Sequence, residues 1–157
     1  MNRLERAINA AAGMLGRRML TCRELYDKLC KKGYDKEIAE QVVEKFLAAG
    51  YLDDRQYAKM YLTDGVNLSA KGIYRIRQEL LQKGIALALI DEALEETDVN
   101  IEDALYQYVE ERRLCENIHS RKDLEKLKAR LVRRGYSLGE IRKCLDRYTF
   151  TLEDEEF

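Results

Sequence analysis

A chain of 157 residues with no proline, only 9 glycines and 36% charged residues has the composition of amphipathic helices with solvated faces, and is too short for a large multi-domain enzyme. A formal charge of −1 and a pI near 6.0 weigh against tight autonomous binding to DNA. No apolar stretch approaches the roughly 18 to 20 residues that span a bilayer. The opening MNRLERAINAAAGMLGRRML mixes Arg3, Glu5, Arg6, Arg17 and Arg18 into its apolar residues, unlike a signal peptide, so a soluble cytoplasmic protein without membrane contact is expected.

In chain order, a first helix is expected over 3–18. Thr21 with Glu24 has capping-box spacing and opens a helix over 21–32 that stops at Lys32-Gly33-Tyr34. Asp35 can cap a helix over 36–49, and Asp53 with Gln56 opens one over 53–66. A helix over 70–83 stops at Lys83-Gly84-Ile85 and is followed by one over 87–96. Asn100 can cap a helix over 101–117, and the next, over 121–134, stops at Arg134-Gly135-Tyr136. Ser137 with Glu140 then opens a helix over 138–148, and the acidic run TLEDEEF closes the chain before a further helix forms. Each stop signal has one physical content. A left-handed residue after a helix favours glycine, an apolar residue beyond it packs back, and a basic residue suits the negative end of the helix dipole.

These stops recur every 51 residues. Four residues before the glycines stand Leu29, Leu80 and Leu131, and eight before stand Leu25, Ile76 and Leu127, which is one helical stripe. Beyond them Val42, Ala93 and Cys144 share a phase, as do Val43, Leu94 and Leu145, and Tyr57 matches Tyr108. The expected fold is therefore all-α: three tandem repeats of a three-helix unit, elongated, behind an N-terminal helix. The boundaries are 1–20 for that helix, 21–68 and 69–119 for two full repeats, and 120–157 for a short third with its acidic tail.

Most candidate chemistry dissolves on inspection. Cys22, Cys30, Cys115 and Cys144 form no C-x-x-C pair and His119 is the only histidine, so reduced structural thiols and no metal site are expected. Asp53 and Asp54 diverge by about 100° on a helix, which suits capping better than paired acid–base work. Tyr34, Tyr57, Tyr108 and Tyr136 fall in apolar phases and read as core, whereas Tyr74 lies outside the stripe. No phosphate loop, nucleophile elbow or metal-binding histidine pair is present, and His119 reads as linker. No catalytic residue and no cofactor are expected.

The segments TCRELYDKLCKKGY, LAAGYLDDRQYAKMYL and AKGIYRIRQELLQKGI, in this order and spacing, resemble the RecX family, over residues 3 to 148. The resemblance implies a non-enzymatic regulator that binds the RecA filament (RecA plus single-stranded DNA) along its groove, and a monomer is expected. The same resemblance implies inhibition of ATP hydrolysis, strand exchange and the co-protease activity behind the SOS response.

Charge is uneven: Asp91 to Glu111 holds nine acidic residues and no Lys or Arg, and Arg112 to Arg147 holds twelve basic against five acidic. Two clusters are candidates for contact with RecA or, weakly and salt-sensitively, with DNA. One comprises Lys71, Tyr74, Arg75, Gln78 and Lys83, the other Arg121, Lys122, Lys128, Arg130, Arg133 and Arg134. The bland alternative for both is a solvated helix face, the second paired with the acidic segment. Rival functions are an independent nucleic-acid-binding protein and a general interaction scaffold.

Overall fold

The computed structural model describes residues 1–153; residues 154–157, the end of the acidic run, lie outside the described residues. The described residues form nine helices and no strand: α1 (Arg3–Leu15), α2 (Cys22–Lys31), α3 (Lys36–Ala48), α4 (Asp54–Asn67), α5 (Ile73–Gln82), α6 (Leu87–Glu96), α7 (Ile101–Glu111), α8 (Arg121–Arg133) and α9 (Leu138–Leu145). The all-α expectation holds.

Local chemistry explains most helix ends. Capping boxes form at Thr21 with Glu24 and at Ser137 with Glu140, and Asn100 accepts from the Asp103 amide. Asn2 with Glu5 makes a further box, and Ser120 caps α8. Asp35 is a correction: it occupies the N-cap position of α3, but its carboxylate takes no amide hydrogen bond. Asp53 accepts from the Gln56 amide at 3.0 Å, while Asp54 reaches away to accept from the Cys22 amide at 2.9 Å, satisfying an orphan donor at the start of α2.

Four helices depart from their expected bounds by three residues or more at one end. α1 ends three residues early at Leu15. α5 starts at Ile73 rather than 70, because Ala70 is left-handed (φ 49) and cannot belong to a right-handed helix. α7 stops at Glu111, six residues early, since Arg113 turns left-handed (φ 51) and the Leu114 amide bonds the Val109 carbonyl, the closure glycine provides elsewhere. α9 stops at Leu145, with Asp146 as its C-cap.

The chain divides into two compact units, Met1–Met60 with Glu79–Glu96, and Tyr61–Gln78 with Thr97 onward. In unit 1, α1, α2 and α3 pack on one another around Ala7, Ala11, Leu20, Leu25, Leu29, Ala39, Val42 and Leu52. Alanine on α1 lets that helix approach closely, and each fully buried leucine contributes about 2 kcal/mol. Unit 2 closes around Leu105, Tyr108, Val109, Leu127, Leu131, Tyr136, Ile141, Cys144 and Leu145. Tyr148, Phe150 and Leu152 pack onto that core, and the Glu153 amide bonds the His119 carbonyl at 2.8 Å. The four thiols are free. Burial pushes those of Cys22 and Cys115 up to about 11.

The 51-residue period reappears as a tertiary contact. In unit 1 the Thr21 hydroxyl donates to the Lys83 carbonyl at 2.7 Å, and a Cβ on Gly84 would lie 2.3 Å from that of Arg23. In unit 2 the Gly72 amide donates to the Arg134 carbonyl at 2.8 Å, and a Cβ on Gly135 would lie 2.6 Å from that of Arg75. Residues 21 and 72, 83 and 134, and 84 and 135 are each 51 apart. The glycines therefore do two jobs, adopting φ of 86° and 103° and letting the start of another helix rest on the turn.

Candidate partner interface

The joint in unit 2 is what brings the two basic clusters together. Beyond the Gly72 bond, the Tyr74 amide donates to the Gly135 carbonyl at 3.3 Å, so the first turn of α5 lies on the end of α8. A side chain on Gly72 would place its Cβ 2.1 Å from the Gly135 carbonyl carbon, so the approach is backbone against backbone. Tyr74 stays 60% exposed, and Arg75 and Gln78 are exposed beside it, while Ile76 and Leu80 turn inward.

Not every expected contact residue is available. Lys83 falls in unit 1, where its ammonium lies 3.5 Å from Glu24. Burial alone would raise the Glu24 carboxyl, but the Thr21 amide and the charges of Lys83 and Arg18 outweigh that and hold it below its ordinary value. The Lys71 ammonium lies 3.4 Å from the Tyr61 hydroxyl and 5.3 Å from the centre of that ring. Arg134 donates through Nε to the Ala70 carbonyl at 2.9 Å and through a second nitrogen to the Ser69 carbonyl, which ties down the α4–α5 connection and the left-handed Ala70 (φ 49). Its guanidinium also lies 4.7 Å from the Tyr108 ring centre, and Arg130 donates to the Tyr108 hydroxyl at 3.0 Å. Arg112 joins them at 5.5 Å from the same ring, a role that sequence phase did not reveal because it marked Tyr108 only as core.

The other basic residues of α8 face outward. Arg121, Lys122, Lys126 and Arg133 are exposed, and Lys128 is half-exposed beside Glu125 at 3.4 Å. Among the described residues Lys122, Lys126 and Arg133 make no ion pair with the acidic segment. That segment instead engages Arg55 and Lys59 of α4 through Glu92 and Glu96 in unit 1, and Lys143 of α9 through Glu102 at 3.2 Å in unit 2. The resulting surface on unit 2 carries Lys122, Lys126 and Arg133 on one face of α8, and Tyr74, Arg75 and Gln78 on the helix against which α8 ends. Such a surface suits recognition of an acidic partner or phosphates.

Two models of the RecX family match, the first three-helix domain over residues 7–46 and the second over 53–94. The chain belongs to the RecX family. The regulatory protein RecX of Bacillus cereus (strain B4264) is 33% identical over 156 residues, covering 98% of this chain, and that of Bacillus thuringiensis (strain Al Hakam) matches to the same extent. The chain spans 57% of the length of these RecX relatives. A crystal structure of RecX from Lactobacillus salivarius superposes with a TM-score of 0.77 over 92% of this chain and 95% of that one, at 24% identity, which speaks for the fold alone. A second regulatory protein RecX structure gives 0.76 over 91% and 71%, at 25% identity. The joint and its basic surface are thus features of a RecX chain, and no helix among its described residues is long and apolar enough to cross a membrane.

Proposed function

We propose that this chain is a RecX-type regulator that binds the RecA nucleoprotein filament and slows its ATP turnover, and through it strand exchange and co-protease activity. The observation that carries the reading is the match to both RecX three-helix domains together with a relationship to regulatory RecX proteins along 98% of the chain. The exposed cations of α8 and the Tyr74 turn of α5 fit such a partner, because they are held on helices rather than loops. On this reading the units 21–68, 69–119 and 120–157 act together as a cytoplasmic, non-catalytic monomer that hinders protomer motions coupled to hydrolysis and needs no cofactor. Direct DNA contact is secondary and salt-sensitive, given a net charge of −1.

The test is single-stranded-DNA-dependent ATP hydrolysis by RecA from the same organism, with this chain titrated well below one copy per RecA. Hydrolysis is expected to fall at those ratios. Rates unchanged at every ratio and at low salt contradict the proposal.

A further inference from the structure

In unit 2, Tyr108 gathers three guanidinium groups. The central carbons of Arg134, Arg112 and Arg130 lie 4.7, 5.5 and 5.9 Å from the centre of its ring, Arg112 coming from the end of α7 and the other two from the end of α8. Each contact with the ring is favourable, but a ring does not neutralise a cation, and like charges held this close oppose one another. Among the described residues none of the three forms an ion pair with a carboxylate. Of the five N–H donors on a guanidinium, Arg134 gives two to backbone carbonyls, Arg130 gives one to the Tyr108 hydroxyl, and Arg112 gives none to any described residue. Clustered cations with donors left over are completed by an oxyanion, which accepts several such bonds at once. A carboxylate brings two oxygens and a single charge to that cluster, whereas a terminal phosphate brings three oxygens and close to two charges.

Arg112 and Arg134 also line a polar groove of about 350 Å³, with the amides of Asn100 and Gln107 and the carboxylates of Asp103 and Glu111. The carboxylates decide which phosphate fits. Asp103, Gln107 and Glu111 follow one another at four-residue spacing and form one row along α7, while Ala104, Tyr108 and Arg112 form the next. Asp103 stands nine residues before Arg112, roughly 13 Å along the helix, and Glu111 is turned about 100° round the axis from it. A nucleic-acid strand laid along the groove would bring successive phosphates against the acidic row. A ligand with one terminal phosphate avoids that, and hydroxyl or amino groups on its other end can donate to the carboxylates and the Gln107 carbonyl oxygen. The volume suits a small molecule. We infer that the groove beside Tyr108 is a binding site for a phosphate monoester, its phosphate held by Arg112 and Arg134 in the field of Arg130 and its hydroxyl- or amino-bearing body lying along Asp103, Gln107 and Glu111.

The test is calorimetric titration of the full chain with adenosine monophosphate and with inorganic phosphate at matched ionic strength. RecA is absent, so the outcome is independent of the RecA reading. The parent is expected to bind the nucleotide, and inorganic phosphate more weakly, since only the nucleotide reaches the acidic row. Arg112→Gln removes an exposed guanidinium that gives no hydrogen bond to the described residues, so the thermal midpoint should stay within about two degrees of the parent. Its dissociation constant for adenosine monophosphate is expected to rise roughly tenfold. Asp103→Ala should weaken the nucleotide without weakening inorganic phosphate. A parent that binds neither probe at millimolar concentration overturns the inference, and so does an Arg112→Gln chain that binds both as the parent does. If a labelled oligo(dT) displaces the nucleotide and loses its own binding in Arg112→Gln, the phosphate comes from a nucleic-acid backbone, which overturns the assignment to a monoester.

Discussion

The joint in unit 1 and the joint in unit 2 stand 51 residues apart and use the same backbone positions, but they are made differently. In the first, Thr21 is fully buried and its hydroxyl serves twice, accepting from the Glu24 amide to cap α2 and donating to the Lys83 carbonyl. In the second, Gly72 has no side chain, and its own amide takes the equivalent carbonyl, on Arg134. A threonine joint keeps the two segments a side chain apart; a glycine joint brings backbone onto backbone. α5 nevertheless starts at the same repeat position as α2, Ile73 against Cys22, and the closer approach sets Tyr74 and Arg75 against the end of α8. The difference teaches that one repeat position can be kept in geometry while its chemistry is changed.

Substitutions sharpen this contrast. Gly72→Ala should be the most damaging, at about 3 kcal/mol or more, because its Cβ would meet backbone rather than a movable side-chain end. Gly135→Ala should be comparable, adding a left-handed φ to the clash. Denaturant midpoints at unchanged slope would measure both. Thr21→Ala removes a cap acceptor and leaves the Lys83 carbonyl without its donor, for about 2 kcal/mol. Gly33→Ala is the control, since φ is +100° there but nothing lies within 4 Å, and about 1 kcal/mol is expected. If Gly33→Ala costs as much as Gly84→Ala, whose Cβ would strike that of Arg23, then close approach is not what the recurring glycines provide. Smallest is a gain: Ala70→Gly relieves a left-handed alanine and should add about 0.5 kcal/mol, seen as a small rise in thermal midpoint.

Acid offers another way to separate the joints. Glu24 has a carboxyl held below its ordinary value in the fold, so its contribution is present above the unfolded-state value and disappears as pH falls through the folded one. Glu24→Gln is therefore expected to flatten the acid limb of the stability profile. An unaltered limb would show that the Thr21, Lys83 and Arg18 contacts do not act on that carboxylate.

The fold was legible where a short-range signal carried it. Lysine or arginine, then glycine, then an apolar residue marked three helix ends, and capping boxes marked two starts, because the partners are neighbours in the chain. The end of α7 was not legible: Arg113 adopts the left-handed conformation with no glycine to announce it. Asp35 failed as a cap for the converse reason, since residue type allows a hydrogen bond that local geometry does not make. The basic clusters were visible as composition, but their assignment needed long-range contacts. Arg134 is spent on carbonyls 64 and 65 residues away and Lys83 on Glu24, whereas Lys126, absent from the expected site, shares the exposed face with Lys122 and Arg133. The groove beside Tyr108 could not be read at all, since its walls meet only after α7, the α4–α5 connection and the end of α8 have folded together.

The most direct measurement compares the parent with a Lys122→Glu, Lys126→Glu, Arg133→Glu variant in RecA ATP hydrolysis on single-stranded DNA, with helicity and thermal midpoint recorded for each. All three residues are exposed, so the fold should persist. The expectation is a parent that inhibits below one copy per RecA and a variant that needs roughly tenfold more protein for the same effect. A variant as potent as the parent would contradict a filament contact through the α8 face.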